Sequence, residues 1–413
     1  MVEDVRRALM EGKCSLPEVG VVAAGTTGDL PFVLVDADGC EVGPVSAYLR
    51  DLMLGDVSPL TCRSYGFGLL RWHRLLWFLQ ISWDKATEAE VAALVGWLAG
   101  WLAGWLAGWL REARNPQRLR KRNGASPPPG SVNLKTGKPS LRDGYAPSTI
   151  NHNLSVISGF YAFHARFGAG PVVNPVPTTS GRRQALAHRS PLEPAPVFRR
   201  GRLRQKVPVQ APRSMPDHLW DELFAGMACD RDRALLEFYV SSGARASELL
   251  GVGLDDIDWS GQLIHVISKG TRIRQPVPAS PNSFRYLGSY LATDGLPDPG
   301  QPVWRTRRGD PRPLTYWATR RILQRANDKF GTNWTLHDAR HTAAVRMAGD
   351  ERLTLAEVQT ILRHAHLDTT GRYLTARVED MHDKLQEHYT KPRPQRTFAA
   401  GYDPEDIKAV FGA

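Results

Sequence analysis

The sequence predicts an α+β protein, mainly helical, with a small antiparallel sheet in its second half. Three observations predict it. Apolar residues recur at helical spacing through most segments from residue 45 onward. The stretch GQLIHVISKGTRIRQPVPAS instead alternates as two strands joined at Lys269-Gly270. A basic segment punctuated by prolines, residues 176–215, separates two units, each long enough to bury its own core.

In chain order, PFVLVDADGCEV reads as strand, turn and strand, with DADG as the turn. A helix is expected from Val45 in VSAYLRDLMLG. The next, SPLTCRSYGFGLLRWHRLLWFLQ, has a sound start in Ser58 before Pro59. Its Trp72, Leu75, Leu76 and Phe78 are expected in the core. Val91 to Leu110, VAALVGWLAGWLAGWLAGWL, is uncharged and as long as a membrane span. Trp97, Trp101, Trp105 and Trp109 recur at every fourth position, so the GWLA unit looks like a tandem duplication. Membrane helices gather Trp at the two interfaces, not through the middle. We therefore expect an expanded helix inside a soluble domain and no membrane partner. A basic, then Pro- and Gly-rich loop leads into APSTINHNLSVISGFYAFHARFG. This segment predicts a helix capped by Ser148, carrying Ile150, Leu154, Ile157 and Tyr161, and ending near Gly168.

From Arg182 to Lys206 eight Lys or Arg face the single Glu193. Such a segment can follow a phosphate backbone through Arg182, Arg183, Arg199, Arg200, Arg202, Arg204 and Lys206, or serve as a solvated tether. The second unit starts at Pro216. Helices are expected at DHLWDELFAGM and RDRALLEFYVSSG, then the two strands with alternating Leu263, His265 and Ile267. Further helices follow in TYWATRRILQRANDKFG, HDARHTAAVRMAG, TLAEVQTILRHA and ARVEDMHDKLQEHY, before a polar, flexible tail with a short closing helix at DPEDIKAVF.

The balance of 53 Lys and Arg against 42 Asp and Glu leaves +11 on 413 residues, which permits a polyanionic partner. Cys14, Cys40, Cys62 and Cys229 are too scattered for a disulfide framework, and no CxxC pair suggests a cysteine-built zinc site. MVEDVRRALMEGK lacks the apolar stretch of a signal peptide, so a reducing cytoplasm is expected.

Four patterns of the second unit invite one explanation. SGARASELLGV sets Arg245 past a Gly-marked helix end with Glu248 one turn on. ISKGTRIRQPVP presents Lys269 at a hairpin turn, with Arg272 and Arg274 as neighbours. HDARH places His337 and Arg340 on one helical face. RHAHLDTTGRY carries His364 and Tyr373. Two guanidiniums are permanently charged forks that can hold the non-bridging oxygens of one phosphate. A phenol can attack phosphorus, but with a free pKa of about 10 it needs a base or a strongly positive field. A lysine can protonate a departing 5′-oxygen. That chemistry requires neither metal nor nucleotide, and the chain has no GxxxxGK[ST] loop.

These residues resemble the tyrosine recombinases, or phage integrases. SGARASELLGV is similar to TGLRxSELLxL, SKGTRIRQPVP to GKGxKxRxVP, LHDARHTAAV to LHDLRHTFAT, and LRHAHLDTTGRY to LGHSSxxTTxxY, in family order. The resemblance implies a site-specific recombinase that cuts and rejoins duplex DNA through a 3′-phosphotyrosine, without metal or ATP. It implies a homotetramer on paired sites and association with the nucleoid, and it leaves open an accessory DNA-bending protein. By position, Tyr373 would be the nucleophile, Arg245 and Arg340 the phosphate clamp, and Lys269 the general acid. His337 and His364 would assist proton transfer, Glu248 would support the site, and His341 matches a common structural position. The implied organisation is an N-terminal extension (1–45), a helical core-binding domain with the GWLA repeat (46–175), a basic linker (176–215), a catalytic domain (216–392) and a tail (393–413). Two departures stand out: Ala244 replaces a bulkier apolar residue, and Arg363 replaces the usual Gly, where it alters a tight turn and adds a phosphate contact.

Two other readings compete. A sequence-specific DNA-binding protein that has lost catalysis would not need the full set of Arg, Lys, His and Tyr positions. A metallohydrolase could draw on His337 and His341, spaced as in a zinc helix, with His364 and His366. HDARH, however, lacks the Glu of HExxH, and its arginine would repel a cation.

Overall fold

The computed structural model describes residues 2–10, 13–99, 127–128, 130–140, 144–177, 201–208, 213–268 and 272–364, with 370, 371, 373 and isolated later positions. The first of its two units, Met1–Val209, contains α1 (Val2–Met10), β1 (Val21–Ala24), β2 (Phe32–Val35), α2 (Gly43–Leu54), α3 (Pro59–Leu79), α4 (Glu88–Ala99) and α5 (Pro147–Ala165). α3 starts as the sequence predicts: Ser58 Oγ accepts the Thr61 amide at 3.3 Å, and Pro59 supplies a helical φ at the first position. Its Leu69, Trp72, Leu75 and Leu76 form the floor of the unit's core, while Phe78 is only half-buried. Burial of such side chains contributes about 1.5–3 kcal/mol each. Trp72 and α5 are joined through polar atoms as well: Trp72 Nε1 donates to Tyr161 Oη at 3.0 Å, and that hydroxyl donates to the Trp83 carbonyl at 2.9 Å. α1 is pinned to α4 by Arg6 and the buried Glu90, whose second oxygen accepts the Thr87 amide and hydroxyl.

Two expectations for this unit change. β2 pairs with β1, Val22 opposite Leu34, whereas the arm expected after DADG shrinks to one bridge between Val35 and Glu41. The cause is length: α2 begins at Gly43 and leaves no room for a strand. α5 is capped by Ala146, not Ser148; Pro147 sets the entry, and no side chain caps it. Of the GWLA segment only 91–99 is described, as the buried C-terminal part of α4; the rest lies outside the described residues. No helix among the described residues is long and apolar enough to cross a membrane. Residues 201–208 of the basic segment rest on this unit. Gln205 and Asn151 exchange two hydrogen bonds, Arg204 donates to Ser155 Oγ at 2.9 Å, and Arg202 pairs with Glu88. Lys206 is exposed. Arg182, Arg183, Arg199 and Arg200 lie outside the described residues.

The second unit, Gln210–Ala413, runs α6 (Asp217–Ala225), α7 (Asp230–Ser242), α8 (Ala246–Leu250), β3 (Ile257–Asp258), β4 (Leu263–Ile267), β5 (Arg274–Pro278), α9 (Pro281–Asp294), α10 (Tyr316–Phe330), α11 (Leu336–Ala348) and α12 (Leu355–Leu362). α7 is the central helix, with Phe238 and Tyr239 buried, and it packs against α9 and α11. The sheet is antiparallel in the order β3-β4-β5, with Leu263 opposite Pro278 and Ile267 opposite Arg274. Its buried face carries Ile264 and Val266, the residues that alternate with Leu263, His265 and Ile267. β3 and α9 are not among the expected elements. α9 nevertheless opens as α3 does, with Ser280 Oγ accepting the Ser283 amide ahead of Pro281. The helix expected at ARVEDMHDKLQEHY and the tail fall largely outside the described residues.

α7 ends at Gly243, whose φ of +58° is the left-handed cap that glycine takes without penalty. A Cβ there would sit 2.6 Å from Leu362 Cδ2. Gly243→Ala therefore combines backbone strain with a clash against α12 and should cost about 2–3 kcal/mol, read as a lower urea midpoint at unchanged slope. Wild-type stability in that variant would contradict the close approach.

Candidate active site

Short-range capping sets the first residue. Arg245 precedes α8, and its amide donates to Glu248 Oε2 at 2.9 Å while its Nη1 donates to Oε1 at 2.6 Å. This i,i+3 pairing turns the carboxylate inward, where it is buried, and leaves the guanidinium partly exposed. α11 supplies the second: Thr335 and Asp338 form a capping box at its start, and Arg340 lies on its buried face.

The two guanidiniums meet at the C-terminal end of α12. A helix end leaves carbonyls without intrahelical donors, and arginines take them here. Arg363 Nη1 donates to the Ile361 carbonyl at 2.6 Å, Arg340 Nη2 to Leu362 at 2.5 Å, and Arg245 Nη2 to Arg363 at 3.2 Å. Arg340 Nη1 also reaches the Gly243 carbonyl. Burial and the neighbouring charges of Arg245 and Arg363 pull Arg340 down to about 10, so it stays charged at neutral pH. For Glu248, burial favours the neutral acid, but Arg363 and Arg245 outweigh it and hold the carboxyl below the usual range.

The turn after α12 delivers the remaining groups. Arg363 adopts φ +54°, ψ +48°, so the tight turn forms with an arginine in a conformation that favours glycine. Its side chain turns to the buried acid, with Nη2 on Glu248 Oε2 at 2.8 Å. His364 follows, its amide donating to Gln359 O at 3.1 Å and its Nδ1 lying 2.9 Å from the buried Thr370 hydroxyl. The Tyr373 ring stacks on His364, with centroids 6.1 Å apart and an angle of 11°. Its Oη lies 2.9 Å from Nδ1 of His341. The apolar side of the ring packs near Ala344, Val358 and Leu362.

The structure thus brings together Arg245, Glu248, Arg340, His341, His364 and Tyr373. His337 is exposed, and its ring lies 4.2 Å from that of His341. Lys269 lies outside the described residues. Of the flanking residues, the Ser268 amide donates to Ile273 O at 3.0 Å, and Arg274 is paired with Asp256. The resemblance implies only a structural position for His341, yet its imidazole lies on the phenol oxygen; its place one turn after His337 was the available signal. Thr370 and Gln359, which hold His364, were missed because hydroxyl and amide side chains at a turn carry no distinctive spacing. Among the described residues no three His, Cys, Asp or Glu side chains gather to hold a metal ion; His366 lies outside them.

Residues 221–380 match the phage integrase family. The tyrosine recombinase XerC of Pelobacter propionicus is 32% identical over 167 residues, 40% of this chain and 53% of that protein. XerC of Myxococcus xanthus is 28% identical over 277 residues, 62% of this chain and 79% of that one. The chain spans only about half the length of most of the curated relatives it matches. In fold it is similar to a lambda integrase (75–356) dimer bound to a COC′ core site, with a TM-score of 0.52 at 14% identity over 80% of this chain and 94% of that one.

His364 is pulled down to about 4, first by burial, then by the charges of Arg340, Arg245, Arg363 and His341. The unfolded chain binds a proton at this residue below about 6.5. Between those values the folded state does not, so stability is lost as pH falls through the window. His364→Gln cannot titrate, so any stability advantage of the wild type over this variant should shrink from about pH 7 to about pH 5 in urea unfolding. A gap that stays constant would show that the imidazole is not held neutral.

Proposed function

We infer, for a chain that belongs to the phage integrase family through its second unit, that it is a site-specific DNA recombinase. It would cut and rejoin duplex DNA through a 3′-phosphotyrosine, with no metal or ATP in the reaction. In the cleavage step, Tyr373 Oη bonds to phosphorus, the bond to the ribose 5′-oxygen breaks, and that oxygen takes a proton from Lys269. The phenol proton has an acceptor within reach at His341 Nδ1, and His337 and His364 face the phosphate. Arg245 and Arg340 take up the charge that grows on the non-bridging oxygens. The observation that carries this reading is the gathering of two arginines, a buried acid and a tyrosine–histidine pair around one helix end.

The DNA is held on paired sites by a homotetramer, with an accessory protein that bends it, in the cytoplasm at the nucleoid. The basic residues of 182–206 follow the phosphate backbone, although Arg202 and Arg204 already have partners in the first unit. Binding should therefore weaken steeply with salt, by a log–log slope of roughly −0.9 per phosphate contacted. The competing DNA-binding and metallohydrolase readings gain nothing from the arrangement, in which three arginines would oppose a cation.

A nicked suicide substrate drawn from DNA flanking the gene tests the reading. The wild type should form a covalent protein–DNA adduct with or without chelator, and Tyr373→Phe should bind the DNA but form none. An adduct from Tyr373→Phe would remove the nucleophile assignment. Arg340→Lys keeps the charge and loses the fork, so cleavage should fall by about 10²–10³-fold, as when one preorganised donor is lost. Cleavage at the wild-type rate would count against the clamp.

A further inference from the structure

We propose that Arg363 is a positioning residue, which sets Arg245 through the Glu248 carboxylate that both arginines share; this rests on the recombinase reading above. Three features of the structure point there. First, Arg363 occupies a left-handed φ that any side chain adopts at a cost glycine escapes, so something must hold it in place. Second, its guanidinium is buried and doubly engaged, on Ile361 O at 2.6 Å and Glu248 Oε2 at 2.8 Å, with a side-chain exposure of 5%. Third, Arg363 touches Arg245 by a second route, because its carbonyl accepts Arg245 Nη2 at 3.2 Å.

The consequence for Arg245 follows from charge and from donor count. Glu248 is only 1% exposed and accepts three donors: Arg245 N and Arg363 Nη2 on one oxygen, Arg245 Nη1 on the other. With Arg245 as its sole cation, that carboxylate would cancel the arginine's charge and draw the fork inward. Arg363 satisfies the carboxylate from the far side. The trio then carries a net positive charge, and the partly exposed guanidinium of Arg245 keeps part of its charge for an anion in front of it. Arg363 itself need not touch that anion.

The test uses the full chain and the suicide substrate in single-turnover conditions. Glycine relieves the left-handed turn, so Arg363→Gly should fold. It should bind DNA within about twofold of wild type yet cleave about ten- to a hundredfold more slowly, the range for loss of one charge-assisted hydrogen bond. Arg363→Lys, which restores a cation within reach of Glu248, should recover most of that loss. In a Glu248→Gln background the effect of Arg363→Gly should shrink to within about threefold, because residues that act through one another are not additive. Wild-type cleavage by Arg363→Gly, an equal loss in the Glu248→Gln background, or a fall in DNA affinity that matches the fall in rate would each overturn the proposal. If Arg363→Gly does not fold, Arg363→Lys and Arg363→Gln decide it, since only the cation should sustain cleavage. Failure of the wild-type chain to form any adduct would sink the recombinase reading instead, so the two failures are distinguishable.

Discussion

The carbonyls of Ile361, Leu362 and Arg363, at and just past the end of α12, each hold a guanidinium, and the candidate site depends on that arrangement. Arginine side chains are long and have about 2 kcal/mol of rotamer entropy to lose, so three of them do not converge without anchors. The helix end provides those anchors as unsatisfied acceptors at its negative pole. Like charges this close repel one another, and the buried Glu248 carboxylate offsets part of that repulsion from beneath. Carbonyls thus hold all three forks, and the carboxylate adds a second hold on those of Arg245 and Arg363.

Arg340 joins two helix ends, because it reaches the carbonyl of Gly243 after α7 as well as that of Leu362 in α12. The left-handed Gly243 lets Leu362 pack against it without a Cβ between them. Packing and polar geometry are therefore coupled at one point. Leu362 contributes a fully buried side chain to the apolar cluster beneath Tyr373 and its carbonyl to the arginine. A change that moves α12 shifts both together.

Local chemistry was legible in the sequence; partnerships across the chain were not. Ser58-Pro59 announces α3 because a cap and a preset φ act within one turn. The pairing of Arg245 with Glu248, and the placement of Arg340 on α11, were visible for the same reason: both are set by spacing on one helix. The same Ser-Pro device at Ser280-Pro281 went unread, since the residues that follow mix polar and aromatic side chains without a clear apolar period. β1 was missed because its partner lies across a turn and its four residues carry no alternation. Arg363 was recognised as a departure, but its partner, Glu248, lies far away in the chain and no local rule could have named it. The association of His341 with Tyr373 was hidden likewise, because the turn after α12 determines where the ring falls.

The neutral state of His364 has a consequence of its own. Part of what suppresses its basicity is burial, which persists whatever else arrives. The rest comes from the charges of Arg340, Arg245, Arg363 and His341, of which the Glu248 carboxylate offsets a part. An anion seated before those cations would cancel part of their field and so raise the proton affinity of the imidazole.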